Sequence, residues 1–170
     1  VFFVWKTQEM STMLQWMNQY NNGSQKILFT GFDMQDTTEP IKQLYKAFSE
    51  DKDFAEKIEK LSSTVKEFVK ENKGNTKSYI LKKEQADIIY PIIGELKTKI
   101  NENPKFSAND KSWQNQNVRI IEQLLEKSTI NRDKFMAENF LWIKEHNPNS
   151  KFIISAHNGH INTAKNRMGE

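Results

Sequence analysis

The chain has 170 residues, 25 basic against 22 acidic side chains, a net charge of +3 and no cysteine. That length suits one domain with a sizeable core, and so small and interspersed a charge surplus argues against a nucleic-acid partner. The missing cysteines remove disulfides, thiolate metal sites and a cysteine nucleophile within this span, and no stretch approaches the ~18 apolar residues of a membrane span.

Residues 1–5, VFFVW, are apolar but too short for a signal-peptide core, with no basic segment before them. Thr7 reads as the N-cap of a helix carrying Met10, Met13, Leu14, Met17 and Tyr20 at helical spacing. Asn21-Asn22-Gly23-Ser24 stops it. Lys26 to Gly31, KILFTG, predicts a short buried strand ending in Phe32-Asp33-Met34-Gln35. Thr37-Thr38-Glu39-Pro40 opens a helix with Ile41, Leu44, Tyr45 and Phe48 on one face; Pro40 is tolerated in the first turn.

An amphipathic helix is predicted from Asp51 to about Asn72, with Phe54, Ile58, Leu61, Val65, Phe68 and Val69 as its stripe and Gly74-Asn75 as its break. Further helices are expected over 82–101, with Pro91 inside, over 110–127, and from Arg132 to His146. The last carries Phe135, Met136, Asn139, Phe140 and Ile143 on one side, and Asn147-Pro148-Asn149 turns the chain. Phe152 to Ala156 predicts a second strand. The pattern implies an α/β fold: a few-stranded, mostly parallel sheet with a long helical excursion, about 36–130, between its two strands. The whole of 1–170 is expected to be one domain. Its start at Val1 inside an apolar run, and its stop soon after the histidines, predict a middle piece of a larger domain.

The two expected strands end alike. KILFTGFDMQ and KFIISAHNGH each run from a lysine through apolar residues to a polar cluster. Ligands of open α/β sheets bind at the carboxyl ends of strands. Parallel pairing would therefore put Asp33 and the His157–His160 loop on one rim, with Gly159 allowing the sharp turn. Other readings stand beside this one. Asp33 suits a cap or turn, and His146 suits a favourable charge at a helix C-terminus. His157 and His160 with Asp33 could hold a metal, although HxxH alone gives zinc too few ligands. No GxSxG elbow surrounds Ser155, and no phosphate or dinucleotide loop is present.

VWKTQEMSTMLQWMNQYNN, ILFTGFDMQ and INRDKFMAENFLWIKEHNPNSKFIISAHNGHI together resemble the erythromycin esterase family, which includes proteins labelled succinoglycan biosynthesis proteins. Its W-x-T-x-E, G-F-D-x-Q, R-D-x-x-M-A-x-N and H-N-x-H motifs occur in order; residues 37–131 between them carry little of the likeness. The resemblance implies a bacterial carboxylic ester hydrolase, of antibiotic-resistance type, that uses no metal or other cofactor. It would act on a small ester or macrolactone, with no nucleic-acid or membrane partner, in the cytoplasm. It further implies that a general base outside these residues activates water, so the isolated piece would be inactive. His157 and His160 would polarise the ester carbonyl and stabilise the oxyanion. Asp33, Arg132 and Asn158 would line the cleft, though Arg132-Asp133 also suits a structural ion pair, and Asn139 would anchor a loop. The competing readings are a non-catalytic metal- or ligand-binding relative and a helical interaction module over 51–130.

Overall fold

The computed structural model describes residues 6–75, 77–128, 131–157 and 160. The chain divides into two compact units, Val1–Gly31 and Phe32–Glu170.

The described residues of the first unit hold one helix and the chain that follows it. Helix α1, Gln8–Tyr20, starts where the Thr7 hydroxyl accepts the Met10 amide at 3.3 Å, which satisfies one of the orphan donors of the first turn. After α1 the Asn21 side chain stands in for a backbone partner. Its amide donates to the Ile27 carbonyl at 2.9 Å, and its oxygen accepts the Ile27 N–H at 2.7 Å. Of the expected stripe Met17 is buried, whereas Leu14 and Tyr20 are exposed, Tyr20 with its ring 5.5 Å from that of Trp16.

The second unit is helical. Helices α2 (Thr38–Ala47), α3 (Lys52–Glu71), α4 (Lys83–Glu102) and α5 (Ala108–Leu125) pack as α2 on α3, α3 on α4, α4 on α5 and α5 back on α2. Each contributes its apolar stripe to one core, in which Leu44, Ile58, Leu61, Phe68, Ile89, Leu96, Ile121 and Leu124 are sealed from solvent. The starts of these helices are capped locally. Asp51 accepts the Phe54 amide at 3.2 Å and the Lys99 ammonium at 2.8 Å, and those bonds, the lysine's first, hold its carboxyl below the usual range. Ser107 and Asp110 form a reciprocal capping box on α5. Gly74, at φ +88°, takes the left-handed conformation that ends the α3 region. Asn72 then repeats the Asn21 device, binding both the N–H and the carbonyl of Ile80.

No sheet forms among the described residues, and the α/β expectation is overturned. The only β pairing there is an isolated bridge between Ser78 and Ser128. The segments 26–31 and 152–156 carry no regular secondary structure, and neither has a ladder partner among the described residues. Their apolar side chains are correspondingly open: Phe29 is 61% exposed and Ile153 fully exposed. A helix closes its hydrogen bonds within its own segment, so stripe and cap suffice to form it. A strand is completed only by a second chain segment, which no apolar run specifies.

Helix α6, Asn131–Glu145, joins α5 through a polar seam alongside the Trp113–Trp142 ring contact at 4.6 Å. The Asn139 amide donates to the Phe32 carbonyl at 3.0 Å and to Gln123 Oε1 at 2.9 Å. Its oxygen accepts from Gln116 at 2.8 Å and from Gln123 at 3.0 Å. Gln123 is completely buried and Asn139 nearly so, and no buried side-chain polar atom among the described residues lacks a partner. Beside them Arg119 grips Glu138 with two bonds of 2.6 and 3.0 Å. At the far end Ser112 Oγ meets His146 Nε2 at 2.7 Å, and the His146 ring stacks on Trp142 at 3.9 Å. His146 thus bridges two helices.

The seam and the surface ion pairs differ in what they contribute. Asn139→Leu orphans Gln123, Gln116 and the Phe32 carbonyl together, and is expected to cost about 2–4 kcal/mol in urea unfolding. Lys57→Ala, which breaks an exposed ion pair with Glu95, should cost under ~1 kcal/mol. Arg119 holds the Glu138 carboxyl below its ordinary value. A depressed carboxylate stabilises the fold above its unfolded pKa and loses that contribution as pH falls through the lower, folded value. Glu138→Gln should therefore flatten the part of the pH–stability curve that declines below the ordinary glutamate pKa of about 4.3, leaving the neutral-pH slope unchanged.

Candidate active site

The segment 33–36 hangs between the seam and the four-helix core. Asn139 holds the Phe32 carbonyl, and Met34 is wholly buried, so the two residues fix the backbone on either side of Asp33. The Asp33 carboxylate, about a third exposed, accepts from Gln35 Nε2 at 2.7 Å and from Arg132 Nη2 at 2.7 Å. Gln35 Oε1 in turn accepts from Lys127 at 3.2 Å, and that ammonium also reaches the Tyr79 hydroxyl at 3.1 Å and lies 4.4 Å over the Tyr79 ring. Asp33 is thereby oriented by a lysine–glutamine strut on one side and a guanidinium on the other.

Arg132 and Asp133 are consecutive residues in the first turn of α6 and point about 100° apart. Arg132 takes Asp33, and Asp133 takes His160, with His160 Nδ1 and Asp133 Oδ1 2.5 Å apart. The two are not each other's ion pair. An ionised carboxylate only accepts, so Nδ1 carries the proton and Nε2 is the atom His160 presents. The His160 amide donates to the His157 carbonyl at 2.8 Å, and the two imidazole centroids lie 6.4 Å apart at 72°.

Of the residues singled out in the sequence, Asp33 meets Arg132 directly, and His160 joins them through Asp133, the neighbour of Arg132. A helix N-terminus, not a sheet rim, gathers them. Asn158 and Gly159 lie outside the described residues. Gln35, which closes the G-F-D-x-Q motif, and Lys127 carried no site role in the sequence. Gln35 alone had a visible signal, falling two residues after Asp33, where a short side chain can reach back. Among the described residues no group of three histidines, aspartates or glutamates could hold a metal ion. Asp33 is committed to Arg132 and Gln35 instead.

A carboxylate–histidine pair beside a carboxylate–arginine pair can present a basic or acidic imidazole and a guanidinium to one polar substrate. The erythromycin esterase family model matches residues 1–170, the whole chain, and the chain belongs to that family, a class of hydrolases. No curated protein and no solved structure matches it. Among the described residues no helix is long and apolar enough to cross a membrane.

The tautomer is measurable. Long-range proton–nitrogen spectra of the imidazole rings are expected to show neutral His160 with Nδ1 protonated and Nε2 bare. Asp133→Ala should release it to the Nε2-protonated form that free histidine favours; an unchanged spectrum would mean that Asp133 does not set the ring.

Proposed function

We propose that the chain forms part of a carboxylic ester hydrolase of the erythromycin esterase type, acting on a small ester or macrolactone. The Asp133–His160 contact carries the reading: Asp133 engages one imidazole nitrogen and leaves the other for a substrate, one residue along α6 from the Arg132–Asp33 pair. Water adds to the ester carbonyl carbon and gives its proton to a general base outside these residues. The carbonyl oxygen takes the developing negative charge. In its cationic form His160 donates from Nε2 to that oxygen, with Asp133 holding the ring, and His157 contributes beside it. Collapse of the tetrahedral species breaks the carbon–oxygen bond to the alcohol, which leaves with a proton. Asp33, Arg132 and Asn158 line the substrate's path, Arg132 as a planar donor for a carbonyl or carboxylate oxygen.

In the full-length protein, turnover of erythromycin or a simple ester should survive a chelator. His157→Ala and His160→Ala should each lower kcat/KM by about 10²–10³, the usual loss on removing one oxyanion donor. Tm should move by less than about 2 °C, under ~1 kcal/mol for a chain of this size. A folded wild type inert toward every ester tested would end this reading; variants that unfold would reduce the histidines to structural residues.

A further inference from the structure

A cavity of about 510 Å³ opens beside the same segment, within the range of small-molecule sites. Its floor is aliphatic: Ile41, Ile58, Val65 and Leu124, all otherwise buried in the core between α2, α3 and α5. Its rim carries two cations, Lys42 and Lys66, against two carboxylates, Asp36 and Glu59, so it asks for no net charge in what it holds. Asp36 is already occupied by the Thr38 N–H at 2.8 Å, and the Thr38 bonds hold its carboxyl below the usual range. Against its aliphatic floor, a neutral ligand gains mainly from burial of apolar surface.

The cavity is tied to the candidate site by one side chain. Gln35 lines it and also donates to Asp33 at 2.7 Å. From Asp33 to Asp36, which lines the cavity too, is three residue steps, at most ~10 Å of chain. One ester can therefore keep its carbonyl near Asp33 and Arg132 while its apolar part enters the cavity. We propose that this cavity receives the aliphatic acyl portion of the substrate and selects for esters with a sizeable apolar body over short ones. The proposal rests on the esterase reading for its substrate, but not for its binding site.

Ser62 lines the cavity from α3 and is only half-buried, so a large side chain there fills the space with little disturbance of the core. In the full-length protein, Ser62→Trp should raise KM for phenyl octanoate about tenfold or more, in line with what a few methylenes contribute in an apolar pocket. Hydrolysis of phenyl acetate should stay within about twofold, since its acyl group is too short to need the cavity. Calorimetric binding of N-phenyloctanamide, an uncleavable analogue, should weaken to the same degree as the octanoate. Val69→Phe, which fills the same cavity from two turns on, repeats the test if Ser62→Trp does not fold. Equal effects on both esters, or amide binding that is absent in the wild type or unchanged in the variants, overturn the proposal. A wild type that binds the amide but cleaves neither ester keeps the cavity and rejects the esterase reading.

Discussion

The hydrogen-bonding capacity of the Asn139 side chain is fully used, and the site depends on it. Two donors and two acceptor positions are all occupied, by Phe32, Gln123 and Gln116. A buried amide leaves little freedom: any shift of α6 along α5 would orphan groups costing about 1–3 kcal/mol each. That rigidity sets where the first turn of α6 falls relative to the segment after Phe32. Arg132 consequently finds Asp33, and Asp133 is left facing His160.

The apolar core plays a different part. The four helices α2–α5 bury their stripes against one another and provide a stiff block, but apolar packing is tolerant of small slips. The seam between α5 and α6 adds to the Trp113–Trp142 contact a set of directional bonds: amides, an Arg119–Glu138 pair and the Ser112–His146 contact. Placing the side chains that matter for chemistry on the directional interface, rather than on the apolar one, gives them a single geometry.

The segment 33–36 serves two neighbours at once. Asp33 turns to Arg132, Met34 is buried, Gln35 reaches back to Asp33 while lining the cavity, and Asp36 caps α2. The bend at Gln35 lets neighbouring side chains serve different surroundings. A polar recognition group and an apolar recess therefore come from residues that touch in sequence.

The helices were legible in the sequence because their causes are local. Stripes such as Phe54, Ile58, Leu61, Val65 and Phe68, with the Thr7 cap and the Gly74 stop, bring six helices to within a few residues. The motifs also marked Asp33, Arg132 and the histidine pair, and the family they belong to. What the sequence could not determine was pairing. KILFTG and KFIISA look like strands, but a strand exists only with a partner at a matching edge, and the tertiary structure supplies none among the described residues. Likewise no spacing rule separates an Arg132–Asp133 pair from two divergent contacts, or names Gln35 as the link to a cavity 89 positions from Leu124 in the chain. Those were decided by which side chains the packed helices bring within hydrogen-bonding reach, a property of the assembled unit and not of any segment in it.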